Sequence, residues 1–224
     1  MENKINKDIL NNDVCPLNQT DGKFKIYNAK NSNLKILFIG NSITLHEPAP
    51  KIGWNNNFGM AASSEENDYV HQVIKGLNVK YGSVSYAVCN ASDWEFNFYD
   101  EELLKKFLPL RNFNADIIVF RIGENVNREM LGKYDYAKYF EKFVKSLIKD
   151  DTKIIVTNTF WAYDLISNPM EKVAKQNGYV FVNISDLGFK DENKAIGLFE
   201  HAGVASHPGD LGMKRIAERI LKVL

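Results

Sequence analysis

The chain has 224 residues, enough for one domain with a full hydrophobic core. Hydrophobic residues make up 45% and charged residues 25%, the balance of an ordinary globular protein. Lys plus Arg number 28 and Asp plus Glu number 28, so no net field draws the chain to nucleic acid or to an anionic membrane, and neither is expected as a partner.

Two cysteines occur, Cys15 in a polar leader and Cys89 at the end of an apolar run. With no CxxC and no Cys/His cluster, structural zinc and a disulfide framework are not expected. The N-terminus has no apolar core of signal-peptide length and no stretch is long enough to span a bilayer, so a cytoplasmic location is expected.

Residues 1–33 read as a polar arm rich in Asn and Lys, in which Phe24-Lys25-Ile26-Tyr27 alternates and can add one edge strand. Residues 34–224 alternate strands and helices as one domain. Five nearly continuous apolar runs read as strands covered on both faces: 35–39, 84–89, 116–122, 153–158 and 179–184. Between the first two, Tyr69, Val70, Val73, Ile74 and Leu77 form a helical stripe. Asp100 is placed to cap a helix with Leu103, Leu104, Phe107 and Leu108 on its apolar face, ended by Pro109. Tyr136, Tyr139, Phe140, Phe143, Val144, Leu147 and Ile148 repeat at i, i+3, i+4. Asn168-Pro169 is expected to open a helix that Gly178 closes, and Asp210 to cap a last helix facing inward through Ile216, Ile220 and Leu224. This alternation predicts an α/β fold with five parallel strands and helices on both faces. Such sheets bind ligands beyond the carboxyl ends of their strands.

Three short motifs fall at that edge. Strand one runs into Gly40-Asn41-Ser42-Ile43-Thr44, where Gly40 allows a sharp turn and the Asn41 amide can tie the turn to itself. Taken alone it reads first as an ordinary strand-to-helix turn with Ser42 as a cap. Neither a phosphate-binding loop nor a GxSxG elbow fits the spacing. Strand three ends in Gly123-Glu124-Asn125, which brings a side-chain amide to the same edge, either as an oxyanion donor or as an ordinary turn residue. His207 lies in a loop before the last helix, stiffened by Pro208 and Gly209. A neutral imidazole there suits proton transfer from a serine.

In that order and spacing the three motifs resemble blocks I, III and V of the SGNH (GDSL-like) hydrolases, across roughly residues 34 to 224. The stretches from Gly40 to Pro50, Gly59 to Ala62, Asp93 to Glu95 and Gly203 to Asp210 resemble one bacterial branch of mostly uncharacterised esterases. The resemblance implies a flavodoxin-like three-layer α/β/α sandwich. It makes Ser42 the nucleophile and its N–H one oxyanion donor, Asn125 the side-chain donor, and His207 the general base. Two departures stand out. Block II usually supplies a backbone N–H from a glycine, whereas this chain reads Asn90-Ala91-Ser92-Asp93-Trp94, and Ser92 is the expected donor. The family's aspartate three residues before the histidine is Val204 here. A Ser–His dyad is therefore expected, with His207 oriented by a backbone carbonyl or by another group such as Asp186 or Glu200.

The segment between Leu45 and Ser64 is long for a plain connection. Its Trp54 and Asn55 suit either a sugar ring or a structured loop whose tryptophan fills a gap. His46 and Trp161 are candidates for the pocket wall. His71 reads as structural, and His201 either reaches the site or caps a turn. The histidines show no metal-ligand spacing, so no metal and no cofactor are expected. Arg121 and Glu124 read as a local ion pair. The expected activity is hydrolysis of a carboxylic ester, acetyl foremost, on a small molecule or carbohydrate. An O-acyltransferase and a non-catalytic glycan-binding module on the same fold are the alternatives. A flavodoxin-like redox or receiver role is disfavoured by the lack of acidic clusters and phosphate loops.

Overall fold

Alternate residues of the central strands face opposite ways, and the core divides accordingly. Ile36 and Phe38 point to one face and Leu37 and Ile39 to the other. The computed structural model describes residues 23–149 and 151–224. Cys15 lies outside them.

Six strands form one sheet: β1 (Phe24–Tyr27), β2 (Leu34–Gly40), β3 (Val84–Asn90), β4 (Ile117–Arg121), β5 (Lys153–Thr157) and β6 (Val180–Val182). Their order is β1-β3-β2-β4-β5-β6. The last five run parallel, as the alternation predicts. The sixth is the Phe24–Tyr27 segment, paired antiparallel to β3, so the sheet has six strands rather than five. The helices are α1 (Tyr69–Tyr81), α2 (Ser92–Phe96), α3 (Tyr136–Leu147), α4 (Asp164–Gln176), α5 (Ala202–Ala205) and α6 (Asp210–Leu221). On one face α1 and α6 pack Val70, Val73, Leu77, Ile216 and Ile220 against Ile36, Phe38, Val119 and Ile155. On the other, α3 and α4 pack Phe140, Phe143, Ile166 and Val173 against Leu37, Ile39, Phe120 and Val156. This is the expected three-layer sandwich. None of the described helices is long and apolar enough to cross a membrane.

Three local expectations are corrected. Asp100 does accept from Glu102 N at 3.0 Å, but the segment it opens forms two short 3₁₀ stretches, Glu102–Lys106 and Leu108–Phe113, with Pro109 inside the second. Pro109 sits in the first turn, where the missing N–H has no helical partner to lose. Helix α4 begins at Asp164, so Pro169 lies within it rather than at its start. Gly209 is the cap residue of α6, and the Asp210 carboxylate accepts instead from Ser63 N (2.8 Å) and Ser63 Oγ (2.6 Å).

The register sets up the site. Gly40 at the end of β2 lies opposite Asn90 of β3 and Arg121 of β4. The turns after three neighbouring strands therefore leave the sheet side by side. The chain crosses from β2 to β3 on one side and then to β4 on the other, which places a crevice at the carboxyl end of β2.

Candidate active site

The turn after β2 is wound tightly. Thr44 N and Leu45 N both donate to Asn41 O, at 2.9 and 3.0 Å. Gly40 serves this turn through space rather than through a left-handed backbone. A Cβ on Gly40 would fall 1.7 Å from Thr44 Oγ1, which is itself bonded to Tyr69 OH at 2.8 Å. Ser42 thus stands clear of the sheet edge, and its N–H makes no hydrogen bond to another described residue.

Ser42 Oγ lies 2.8 Å from His207 Nε2, across 165 residues of sequence. The other ring nitrogen, Nδ1, is 2.7 Å from the Gly203 carbonyl. A carbonyl only accepts, so Nδ1 carries the proton and Nε2 presents its lone pair to the serine hydroxyl. The loop is tied on both sides: His207 N donates to Val204 O and Ala195 N to His207 O. Burial, and secondarily the Arg121 charge, lowers the His207 pKa to about 4, so the imidazole is neutral at neutral pH. A hydroxyl bonded to a fixed neutral imidazole can give up its proton while attacking an electrophile.

Neither carboxylate considered for orienting the ring does so. Asp186 is paired with Arg219 Nη2 at 2.7 Å, and Glu200 is exposed. The Val204 side chain is buried with Trp54, Met60, Ala61 and Ala195, facing a small apolar cluster.

Asn125, in the turn after β4, borders the same cavity, whose volume is about 360 Å³. Ser42, His46, Met60, Ser92 and His207 line it too. The Ser92 N–H, expected to point at an oxyanion, is already given to Asn90 Oδ1 at 2.9 Å. His201 does both things allowed for it: Nδ1 accepts from Val204 N at 3.3 Å, and the residue lines the cavity. His71 bonds Asp68 at 2.8 Å beneath the start of α1.

The aromatic residues require correction. Trp54 is 0% exposed, so it cannot stack on a ligand. It donates to His46 O at 3.2 Å and packs edge-on to Phe58, fastening the long Leu45–Ser64 segment to Val204 and hence to the His207 loop. Asn55 is exposed and outside the cavity. Trp161 sets its ring edge-to-face with His207, centroids 5.3 Å apart, and does not line the cavity either. Replacing Trp54 with Phe should cost about 1–3 kcal/mol in urea unfolding, through the lost bond and residual space. The loss should appear in stability and leave the cavity's lining unchanged, because the side chain does not border it.

A buried polar cluster underlies the turns, of which the sequence reading contained only the local ion pair. Arg121 does pair with Glu124, Nη1 to Oε1 at 2.8 Å, but both are sealed under the site. Glu124 also accepts from Asn41 Nδ2 (2.6 Å) and Phe160 N (2.8 Å). Glu95, 0% exposed in α2, accepts from Asn41 Nδ2 (2.9 Å), from Gly123 N and from Asn125 Nδ2 (2.7 Å). Burial first, and the Glu124 charge second, push its pKa up. The available signal was a lone glutamate between Trp94 and Phe96, directly after a buried strand. No cluster of metal-ligating side chains occurs among the described residues.

No family sequence model matches the chain, and no curated protein matches it in sequence. Solved structures do resemble it in fold. A family 3 carbohydrate esterase from Clostridium thermocellum superposes with a TM-score of 0.57 at 16% identity, over 84% of this chain and 94% of that one. A lipase/acylhydrolase from Enterococcus faecalis gives 0.51 at 12% identity, over 85% and 94%. An acetylxylan esterase from Geobacillus stearothermophilus, solved as a catalytic mutant, gives 0.50 at 16% identity, over 85% and 94%.

Proposed function

We propose that the protein is a serine ester hydrolase of the SGNH type, removing a short acyl group, acetyl foremost, from a small molecule or carbohydrate. The observation that carries this reading is the 2.8 Å contact between Ser42 Oγ and His207 Nε2 in the wall of a cavity that Asn125 also borders. Ser42 Oγ attacks the ester carbonyl carbon as its proton passes to Nε2. The tetrahedral oxyanion takes hydrogen bonds from the Ser42 N–H and the Asn125 amide. Collapse breaks the carbon–oxygen bond to the alcohol, which leaves with the proton from His207. Water then repeats the sequence, freeing the acid and restoring Ser42. Ile52, Met60 and Val204 give the cavity an apolar side suited to a short acyl chain, while Asn90 and Ser92 offer polar partners for hydroxyls. The carbohydrate and acetylxylan esterases of like fold favour a sugar-borne ester.

A fluorophosphonate probe tests this directly. It should add one phosphonyl group to the wild type, at Ser42 by peptide mapping, and none to Ser42→Ala. No labelling, together with p-nitrophenyl acetate turnover no faster than that of the mutant, would leave the protein as a non-catalytic binding module. Asn125→Ala should lower kcat about a hundredfold or more while KM changes little, the pattern for a donor used mainly in the transition state.

A further inference from the structure

Asn125 raises a geometric problem. An amide at the end of a turn rotates freely about two side-chain bonds, yet an oxyanion donor must be fixed before reaction. The turn after β4 does not fix it; Glu95 is what the side chain meets. Glu95 reaches in from α2, after β3, and accepts from Asn125 Nδ2 at 2.7 Å on one oxygen. The other oxygen accepts from Gly123 N and from Asn41 Nδ2, next to Ser42. One buried carboxylate thereby joins the turns after β2, β3 and β4.

Resting on the hydrolase reading above, we propose that Glu95 is a positioning residue, holding the Asn125 amide in register with Ser42 so that its second N–H is presented to the cavity. The chemistry of the three donors explains why an acidic side chain stands here. A carboxylate accepts on both oxygens, whereas a glutamine offers one acceptor oxygen and an NH₂ group that only donates. In Glu95→Gln the amide oxygen does best facing the paired donors, Gly123 N and Asn41 Nδ2. That leaves its NH₂ against the NH₂ of Asn125, which must turn away or flip. The isosteric change is therefore aimed at Asn125 while the volume of the core stays the same.

The test is a double-mutant cycle in kcat and KM on p-nitrophenyl acetate, with melting temperatures of every variant. Glu95→Gln should lower kcat about tenfold or more with KM within about twofold. In the Asn125→Ala background the same change should cost less than about twofold, because the group it positions is gone. Equal losses in both backgrounds, or no loss in the single variant, would overturn the proposal. A second readout needs neither activity nor the hydrolase reading. In a ¹⁵N–¹H correlation spectrum the Asn125 side-chain pair, identified by its absence in Asn125→Ala, should show one proton displaced downfield and slow to exchange. Glu95→Gln should return it toward the free-amide position. An undisplaced pair in the wild type refutes the proposal, whereas unlabelled Ser42 with a displaced pair refutes only the hydrolase reading.

Discussion

Replacing His207 with alanine should lower kcat/KM for p-nitrophenyl acetate about 10³–10⁴-fold, with melting temperature reduced far less than activity. A triad histidine accounts for about 10⁶ in kcat. Here the ring is oriented by the Gly203 carbonyl at 2.7 Å, which sets the tautomer but offers an imidazolium only a dipole. The smaller figure reflects that missing charge. The pH profile separates a base from a structural residue. With its pKa lowered to about 4 by burial, His207 keeps its lone pair down to moderately acid pH. The acid limb of wild-type kcat/KM should therefore fall with a midpoint near 4, and the rate should be level from about pH 5.5 to 8. A midpoint near the ordinary histidine value of about 6.5 would show that the imidazole is solvated in the working enzyme. The same shift carries a stability cost of known sign. The unfolded imidazole binds its proton near 6.5 and the folded one near 4, so stability is lost as pH falls through that window. His207→Ala should lack that loss.

What was legible in the sequence follows from range. Strand runs such as 35–39 and helical stripes such as Tyr136–Leu147 are written in consecutive residues and answer to local burial, so elements and layers come through, while the strand order, which long-range pairing decides, does not. The meeting of Ser42, Asn125 and His207 at one cavity was legible because each follows a strand or precedes a helix in a sheet whose carboxyl edge gathers ligands. Trp54 was not, because a tryptophan among asparagines looks alike whether it faces a sugar or the core. Only the approach of Val204 and Phe199 from elsewhere in the chain decides it. The same limit hid the role of Gly203, whose contribution is a carbonyl that every residue possesses. It hid Glu95 too, since a carboxylate between two aromatic residues does not announce three donors from two other turns. The value of Val204, where the resembled family carries a carboxylate, becomes physical in the fold. That side chain fills the Trp54 cluster, so an aspartate there would enter an apolar space while Nδ1 of His207 already has its partner.

Arg121→Met should destabilise the protein by about 3–5 kcal/mol at pH 7, the largest stability loss expected of any site variant. Arg121 is 0% exposed and is the counter-charge of Glu124, donating to both its oxygens at 2.8 and 3.0 Å and to Oδ1 of Asn41, whose amide nitrogen in turn donates to Glu95. Methionine fills much of the volume but leaves Glu124 and Glu95 facing one another without a counter-charge. Burial and the Glu124 charge already raise the Glu95 pKa, and loss of the guanidinium that offsets the Glu124 charge should raise it further above the unfolded value of about 4.3. The folded variant then binds more protons than the unfolded chain, so its stability must rise as pH falls toward 5, opposite to the His207 contribution. Urea midpoints at pH 7 and pH 5 measure this: the gap to wild type should narrow at the lower pH, and a gap unchanged with pH would refute the charge argument. Arg121→Met/Glu124→Gln should recover part of the loss by removing the stranded charge. It should not recover activity in proportion, because Asn41 Oδ1 still lacks its guanidinium partner and the turn that carries Ser42 is held through Asn41. An apolar core of equal volume would hold the sheet as well. What it would not do is tie the turns after β2, β3 and β4 to one another, and that tie is what the buried charges provide beneath Ser42 and Asn125.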